Sequence, residues 1–155
     1  MTEQGLTVTP VAYTHVAAQR LIAATLADLA ERYGGDGDAT PVDPAQFDRP
    51  RGIFLLAWLD GAAVGCGAWR ASGEDDAEIK RMYTAPGARG RGVARAVLGA
   101  LEATAREAGK RRMILETGDK QPEAIGLYES SGYLQIPNFG YYKDAPGSVC
   151  FGREL

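Results

Sequence analysis

Leu6-Thr7-Val8-Thr9 alternates apolar and polar positions with a period of two, the pattern of a strand with one buried face. Ile22, Leu26, Leu29 and Tyr33 then recur at helical spacing, which predicts a helix with Thr14 as its cap and Gly34-Gly35 as its stop. From residue 36 to 50 the periodicity disappears and the chain becomes acidic and rich in Gly and Pro, a loop with one helical turn near Ala45 and Phe47. Residues 53–59 and 62–70 are apolar runs joined by Asp60-Gly61, a strong hairpin signal. Ser72-Gly73-Glu74-Asp75 makes a second turn into a strand over 77–84, which Pro86-Gly87 breaks. Ala94, Val97, Leu98, Leu101, Ala105 and Ala108 fall on one face of a helix that begins near Gly92 and closes at Gly109. Residues 112–117 read as a strand. Pro122 opens a short helix over 122–130 that Gly132 closes, and 133–136 and 148–155 read as the last strands.

The hairpins make an antiparallel half. The strand–helix–strand unit over 77–117 demands a parallel pair joined by a right-handed crossover. The predicted class is α/β in the mixed α+β sense, with a central mixed sheet of about seven strands flanked by helices. A length of 155 residues suits one domain, 1–155, with a sizeable core.

Composition narrows the function classes. With 45% hydrophobic and 24% charged residues the chain is ordinary for a folded protein, which argues against disorder. A net charge of -3 gives no reason to expect a nucleic-acid or membrane partner. Met1-Thr2-Glu3-Gln4-Gly5 does not begin a basic-then-apolar leader, and no window approaches the roughly 18 apolar residues of a membrane span, so a cytoplasmic protein is expected. Cys66, Cys150 and His15 lack metal-ligand spacing, so no metal is expected and the cysteines read as small buried residues.

The informative stretch is where the strand over 77–84 passes into the following helix. Gly90 and Gly92 remove side chains there, and the first N–H groups of a helix lack internal partners and point outward at its positive end. An anion, particularly a phosphate, suits that place, and Arg89, Arg91 and Arg95 add positive charge. On the local pattern alone, a glycine-rich turn with solvated arginines fits equally well. Gly90-Arg91-Gly92-Val93-Ala94-Arg95 departs from the dinucleotide fingerprint at its third glycine, and the Gly-Lys-Ser/Thr of a Walker loop is absent.

The same stretch resembles the cofactor motif R/Q-x-x-G-x-G/A of the GNAT superfamily of N-acetyltransferases, with Arg89, Gly92 and Ala94 at its fixed positions. Glu78-Ile79-Lys80-Arg81-Met82-Tyr83-Thr84-Ala85-Pro86 looks like the family's preceding strand. Pro122-Glu123-Ala124-Ile125-Gly126-Leu127-Tyr128-Glu129 followed by Ser131-Gly132-Tyr133 looks like its A-x-x-L-Y-x-x-x-G-[FY] block. The element order agrees along nearly the whole chain.

The resemblance implies a GNAT-like fold with a splay between two parallel strands, and acetyl-CoA as co-substrate. Amides of Gly90, Arg91, Gly92, Val93, Ala94 and Arg95 would cradle the pyrophosphate. The backbone of Met82, Tyr83 and Thr84 would pair with the pantetheine arm, and an N–H near Met82 or Tyr83 would stabilise the oxyanion. Gln121 stands where many members place a pantetheine-binding asparagine. Tyr128 matches the family's acid for the departing thiolate, and Glu78 or Glu116 matches its base, although core packing for Tyr128 and solvated strand positions for the glutamates also fit. The implied reaction is direct attack of a primary amine of a small molecule in a ternary complex. The alternatives are a protein or peptide N-acetyltransferase and a non-catalytic acyl-CoA-binding module, and a homodimer is compatible with any of them.

Blander roles are expected elsewhere. His15 reads as a surface residue, and Trp58 and Trp69 as packing groups. Tyr141-Tyr142-Lys143-Asp144, Arg70 and Arg81 are candidates for the acceptor pocket, and the acidic loop after Gly35 for attracting a cationic amine, with solvated charges as the simpler reading.

Overall fold

The computed structural model describes residues 5–155. Among them the chain runs β1 (Leu6–Pro10), α1 (Val16–Tyr33), β2 (Gly52–Leu59), β3 (Ala62–Ser72), β4 (Asp76–Thr84), α2 (Val93–Glu107), β5 (Arg112–Gly118), α3 (Pro122–Ser130), β6 (Leu134–Ile136) and β7 (Ser148–Glu154). Short 3-10 turns occupy Pro44–Phe47, as the sequence predicts, and Pro86–Ala88. The strands form one sheet in the order β1-β2-β3-β4-β5-β7-β6, antiparallel throughout except for β4 and β5.

Strand β2 explains its own unbroken apolar run. Ile53, Leu55, Ala57 and Leu59 pack with Val97, Leu98 and Leu101 of α2, while Phe54 and Leu56 pack with Leu21 and Ile22 of α1. Helices therefore cover both faces, so neither set of alternating positions meets water. Trp58 and Trp69 do pack, with their indole N–H groups donated to Thr9 Oγ1 (2.9 Å) and Thr104 Oγ1 (3.0 Å). Cys66 and Cys150 are buried free thiols.

Two details differ from the expected pattern. The cap of α1 is His15, not Thr14: its Nδ1 accepts from the Ala17 N–H at 3.0 Å and satisfies one of the first-turn donors. His15 is nonetheless exposed, as expected. The buried face of α2 runs through Val93, Val97, Leu98, Leu101, Glu102 and Ala105. Ala94 is only half-buried, and Ala108 is exposed because the helix ends at Glu107. Glu102 tolerates burial because it accepts from Tyr133 Oη (2.8 Å) and Arg153 Nη1 (2.9 Å).

Strand β4 departs twice from regular pairing. Its parallel ladder with β5 covers Asp76↔Arg112, Ala77↔Met113 and Glu78↔Ile114, after which the two strands diverge. On its other edge Lys80 faces Ala68 and Tyr83 faces Cys66, so Arg81 and Met82 together oppose Gly67 in a β-bulge. Arg81 sits at φ 63°, a left-handed conformation that a side chain adopts only where its surroundings hold it. One support is the Cys66 thiol, which donates to the Arg81 carbonyl at 3.1 Å.

Candidate active site

The divergence of β4 and β5 opens a gap in the middle of the sheet. Ala85 N–H bonds back to Val64 O on β3 (2.7 Å), and peptide groups alternate sides along a strand. The peptide groups of Met82 and Thr84 therefore point to the side that β5 has left, and that of Tyr83 points back to β3. A cavity of about 280 Å3 lies at this gap, walled by the second half of α1, the loop after it, β4, β5, α3 and the loop before β7. Two tyrosines close its rim. Tyr142 Oη accepts from Ala39 N (2.7 Å), joining the two loops, and Tyr33 Oη accepts from Lys120 N (3.1 Å) and Gln121 Nε2 (3.4 Å).

Two of the predicted catalytic residues, Glu116 and Tyr128, line this cavity. On β5, Leu115 belongs to the core beneath α2, so Glu116 turns to the opposite face, the α1 side. Burial pushes the Glu116 carboxyl up to about 7 against the pull of Lys80, and Asp38 and Glu78 push it the same way. Tyr128 belongs to the α2-side core beside Tyr133 and Phe151 and also lines the cavity. Burial alone pushes its phenol well above its ordinary value, so it stays protonated at neutral pH. A raised carboxyl and a buried phenol thus line one cavity, Glu116 from the α1 side and Tyr128 from the α2-side core.

Glu78 is placed differently. It pairs with Arg70 (3.0 Å), whose guanidinium also donates to Pro41 O and Gln46 Oε1, both at 2.9 Å. Neither Glu78 nor Arg70 lines the cavity. Arg70 and Arg81 are not solvated charges, because each is largely buried and ion-paired. Of Tyr141-Tyr142-Lys143-Asp144, Tyr142 lines the cavity.

At the other end of the gap, Gly90 and Gly92 sit at φ 78° and 80°, and a Cβ on either would meet nothing within 4 Å. Gly92 is the N-cap of α2 with no side-chain cap, so the first amides of that helix, at Val93, Ala94 and Arg95, project toward open space. Arg89 Nε donates to Thr84 O (3.2 Å), and Arg95 reaches Ser130 Oγ (2.7 Å) and Ser131 Oγ (3.3 Å). Arg91 is exposed between the two glycines. Open space over uncapped amides at one end, and a β4 edge that has left its β5 partner beyond Glu78 at the other, fit a ligand with a phosphate group and an extended amide-bearing arm. Gln121, at the start of α3, lines the cavity within reach of that edge.

Lys80 and Tyr33, which the sequence does not single out, also line the cavity, as does Asp38 of the acidic loop. Asp38 Oδ2 accepts from Lys80 Nζ (3.1 Å) and Arg81 Nη1 (3.0 Å), while Oδ1 accepts from Thr40 N (2.9 Å) and Thr40 Oγ1 (2.6 Å). Burial opposes its ionisation, but Lys80 and Thr40 outweigh that and hold it down to about 2. Only the Asp38-Ala39-Thr40 spacing, suited to a local side-chain turn, hinted at this in the sequence. Among the described residues no cluster of three or more His, Cys, Asp or Glu is placed to hold a metal, and no helix is long and apolar enough to cross a membrane.

The profile of the acetyltransferase (GNAT) family matches residues 22–133. An IAA acetyltransferase of Azospirillum brasilense is 39% identical over 115 residues, covering 74% of this chain and 75% of that protein. A Klebsiella pneumoniae protein classed with the acyl-CoA N-acyltransferases is 36% identical, with a TM-score of 0.81 over 97% of both chains. A GNAT family acetyltransferase of Elizabethkingia anophelis, solved with acetyl-CoA bound, shares the fold at 15% identity, with a TM-score of 0.72 over 99% of this chain and 100% of the other.

Proposed function

This chain belongs to the GNAT acetyltransferase family and is an acyl-CoA-dependent N-acyltransferase, and from that premise we propose that it transfers the acetyl group of acetyl-CoA to the primary amine of a small molecule. The observation that carries the reading is that Glu116 and Tyr128 both line the cavity at the open end of the β4–β5 gap. Acetyl-CoA supplies a thioester carbonyl for an amine to attack and a thiolate to leave.

The chain's own groups suit each demand of that reaction. Amides of Gly90, Arg91, Gly92, Val93, Ala94 and Arg95 bind the pyrophosphate at the start of α2. The Met82 carbonyl and the Thr84 N–H hold the pantetheine arm, and Gln121, one of whose two side-chain N–H donors reaches Tyr33 Oη, offers its carbonyl oxygen and its second N–H. Met82 N–H, turned into the gap beside the bulge, donates to the carbonyl oxygen as negative charge develops there. Glu116, poised near 7, takes the proton of the incoming amine directly or through a water, and Tyr128 gives its proton to the leaving sulfur. Glu78, tied to Arg70, supports the wall of the site and is not the base.

A roof of two bonded loops over 280 Å3 favours a small acceptor over an extended peptide. The Azospirillum brasilense relative, by its name, points the same way. The test is Tyr128→Phe, assayed by thiol release with a panel of amines. The reading expects intact acetyl-CoA affinity with kcat lowered roughly 100- to 10,000-fold. A variant within a few-fold of the parent removes Tyr128 from the mechanism. If acetyl-CoA binds but no amine of the panel supports turnover, the small-amine reading of the acceptor fails.

A further inference from the structure

Successive residues of a strand normally face opposite sides of the sheet, so two adjacent cations should not share a partner. The bulge breaks that rule. Ile79 points into the core beneath α2 and Lys80 to the α1 side, and the left-handed turn at Arg81 keeps Arg81 on the α1 side as well. Both side chains consequently reach the same oxygen, Asp38 Oδ2. Lys80 and Arg81 line the cavity with side chains only 10% and 6% exposed.

Two positive charges here face one negative charge. Asp38 is saturated by Lys80, Arg81 and Thr40, so it has little left to offer a ligand. The other acidic groups of the wall do not close the balance. Asp28 pairs with Arg32 outside the cavity (3.2 Å), and Glu116, the base of the proposed reaction, is the partner of the acceptor's amine. Lys80 spends one of its three N–H donors on Asp38, which leaves two for a ligand in the cavity that it lines. Once the acceptor's amine has taken up Glu116, Lys80 is left as a surplus cation in a poorly solvated space, which calls for an anion.

We propose that Lys80 and Arg81 form a carboxylate-binding site in the acceptor cavity, so that the acceptor is an amine that also bears an acid group, as an α-amino acid does. The proposal rests on the acyl-transfer reading for the amine half of the ligand. The cavity's remaining wall, with Leu29, Ile79, Leu115 and Ala124, suits an apolar side chain on that acceptor.

Matched trios separate the two ideas: leucine, isoamylamine and 4-methylpentanoate, and phenylalanine, phenethylamine and 3-phenylpropionate. Each amine is assayed for turnover, and each amine-free acid for binding by calorimetry to the acetyl-CoA-loaded protein. The amino acid of at least one trio should exceed its decarboxylated partner in kcat/KM by about tenfold or more. The matching acid should bind, Lys80→Met should weaken that binding by about tenfold, and Lys80→Arg should largely restore it. Circular dichroism and acetyl-CoA affinity confirm that the variants are folded. Equal or better use of both simple amines, failure of both acids to bind, or acid binding indifferent to Lys80→Met overturns the proposal. If no amine turns over, the acyl-transfer reading fails on its own, and the binding measurements still decide the carboxylate site.

Discussion

A carboxyl group held beside a partly enclosed cavity loses hydration it would need as an anion, and Glu116 is in that position. Its folded value of about 7 lies above the ordinary 4.5, so the stability it contributes is fully present below about pH 4.5 and is lost as pH rises through 7. Taken at face value the shift is worth roughly 3 kcal/mol. Solvent reaches much of the group, and screening reduces the expected effect to about 1 kcal/mol. Glu116→Gln removes the ionisation, so at pH 8 the variant should melt about 2–4 °C above the parent, with the difference vanishing near pH 4.5. Calorimetry at the two pH values checks the sign. The parent's kcat/KM should rise with pH to a plateau above about 7, and the variant should lose at least about 100-fold. A variant that gains stability at pH 8 yet keeps its activity would mean that Glu116 is a buried acid without a catalytic role.

At the scale of elements, the end of α1 is fastened to the turn between β5 and α3. Arg32 pairs with Glu123 and donates to Lys120 O (2.9 Å), while Lys120 Nζ lies 5.5 Å from the centre of the Tyr33 ring. The Tyr33 phenol lies so close over Gly118 that an added Cβ would run into its Oη and Cζ atoms. Gly118→Ala should therefore push the exposed Tyr33 ring aside, costing about 1 kcal/mol through its lost bonds to Lys120 N and Gln121, and raise the acceptor KM by displacing that wall of the cavity. Adding Tyr33→Ala should relieve the clash, so the double variant should lose less stability than the two single losses combined. Additive losses would show that the two residues do not press on one another. None of this docking was legible in the sequence, because it depends on which surfaces meet. The strands and the Asp60-Gly61 hairpin were legible from local pattern, and so were the glycines before α2, whose positive φ angles side chains rarely adopt. The bulge left no local trace: its cause is the register of β3 against β4, so Lys80 and Arg81 read as an ordinary alternating pair. The α1 cap was misplaced by one residue because imidazole competes with hydroxyl as an acceptor at that end.

Across the whole molecule, the sheet is two blocks, β1 to β4 and β5-β7-β6, joined by three parallel register pairs at one end. Arg112 strengthens that end by gripping both oxygens of Asp76 (3.1 and 2.9 Å). The other end is open, and its unpaired strand edge is where an amide-bearing arm would serve as a missing strand. A ligand that bridges the blocks binds the folded chain and not the unfolded one, so acetyl-CoA at about 100 times its Kd should stabilise by roughly 2.7 kcal/mol. In a chain of this size that is a rise in Tm of about 5–10 °C. Hydrogen exchange should slow most in β4 beyond Glu78 and in the α2 amides that follow Gly92. Gly92→Val places a β-branched side chain at φ 80° and fills the open space over those amides, so it should lower the starting Tm and abolish the increment. The increment is the quantity to compare, because the strain of the substitution changes the starting Tm in any case. A folded Gly92→Val protein that still gains the full 5–10 °C, or protection confined to the β5-β7-β6 block, would place the phosphates away from α2.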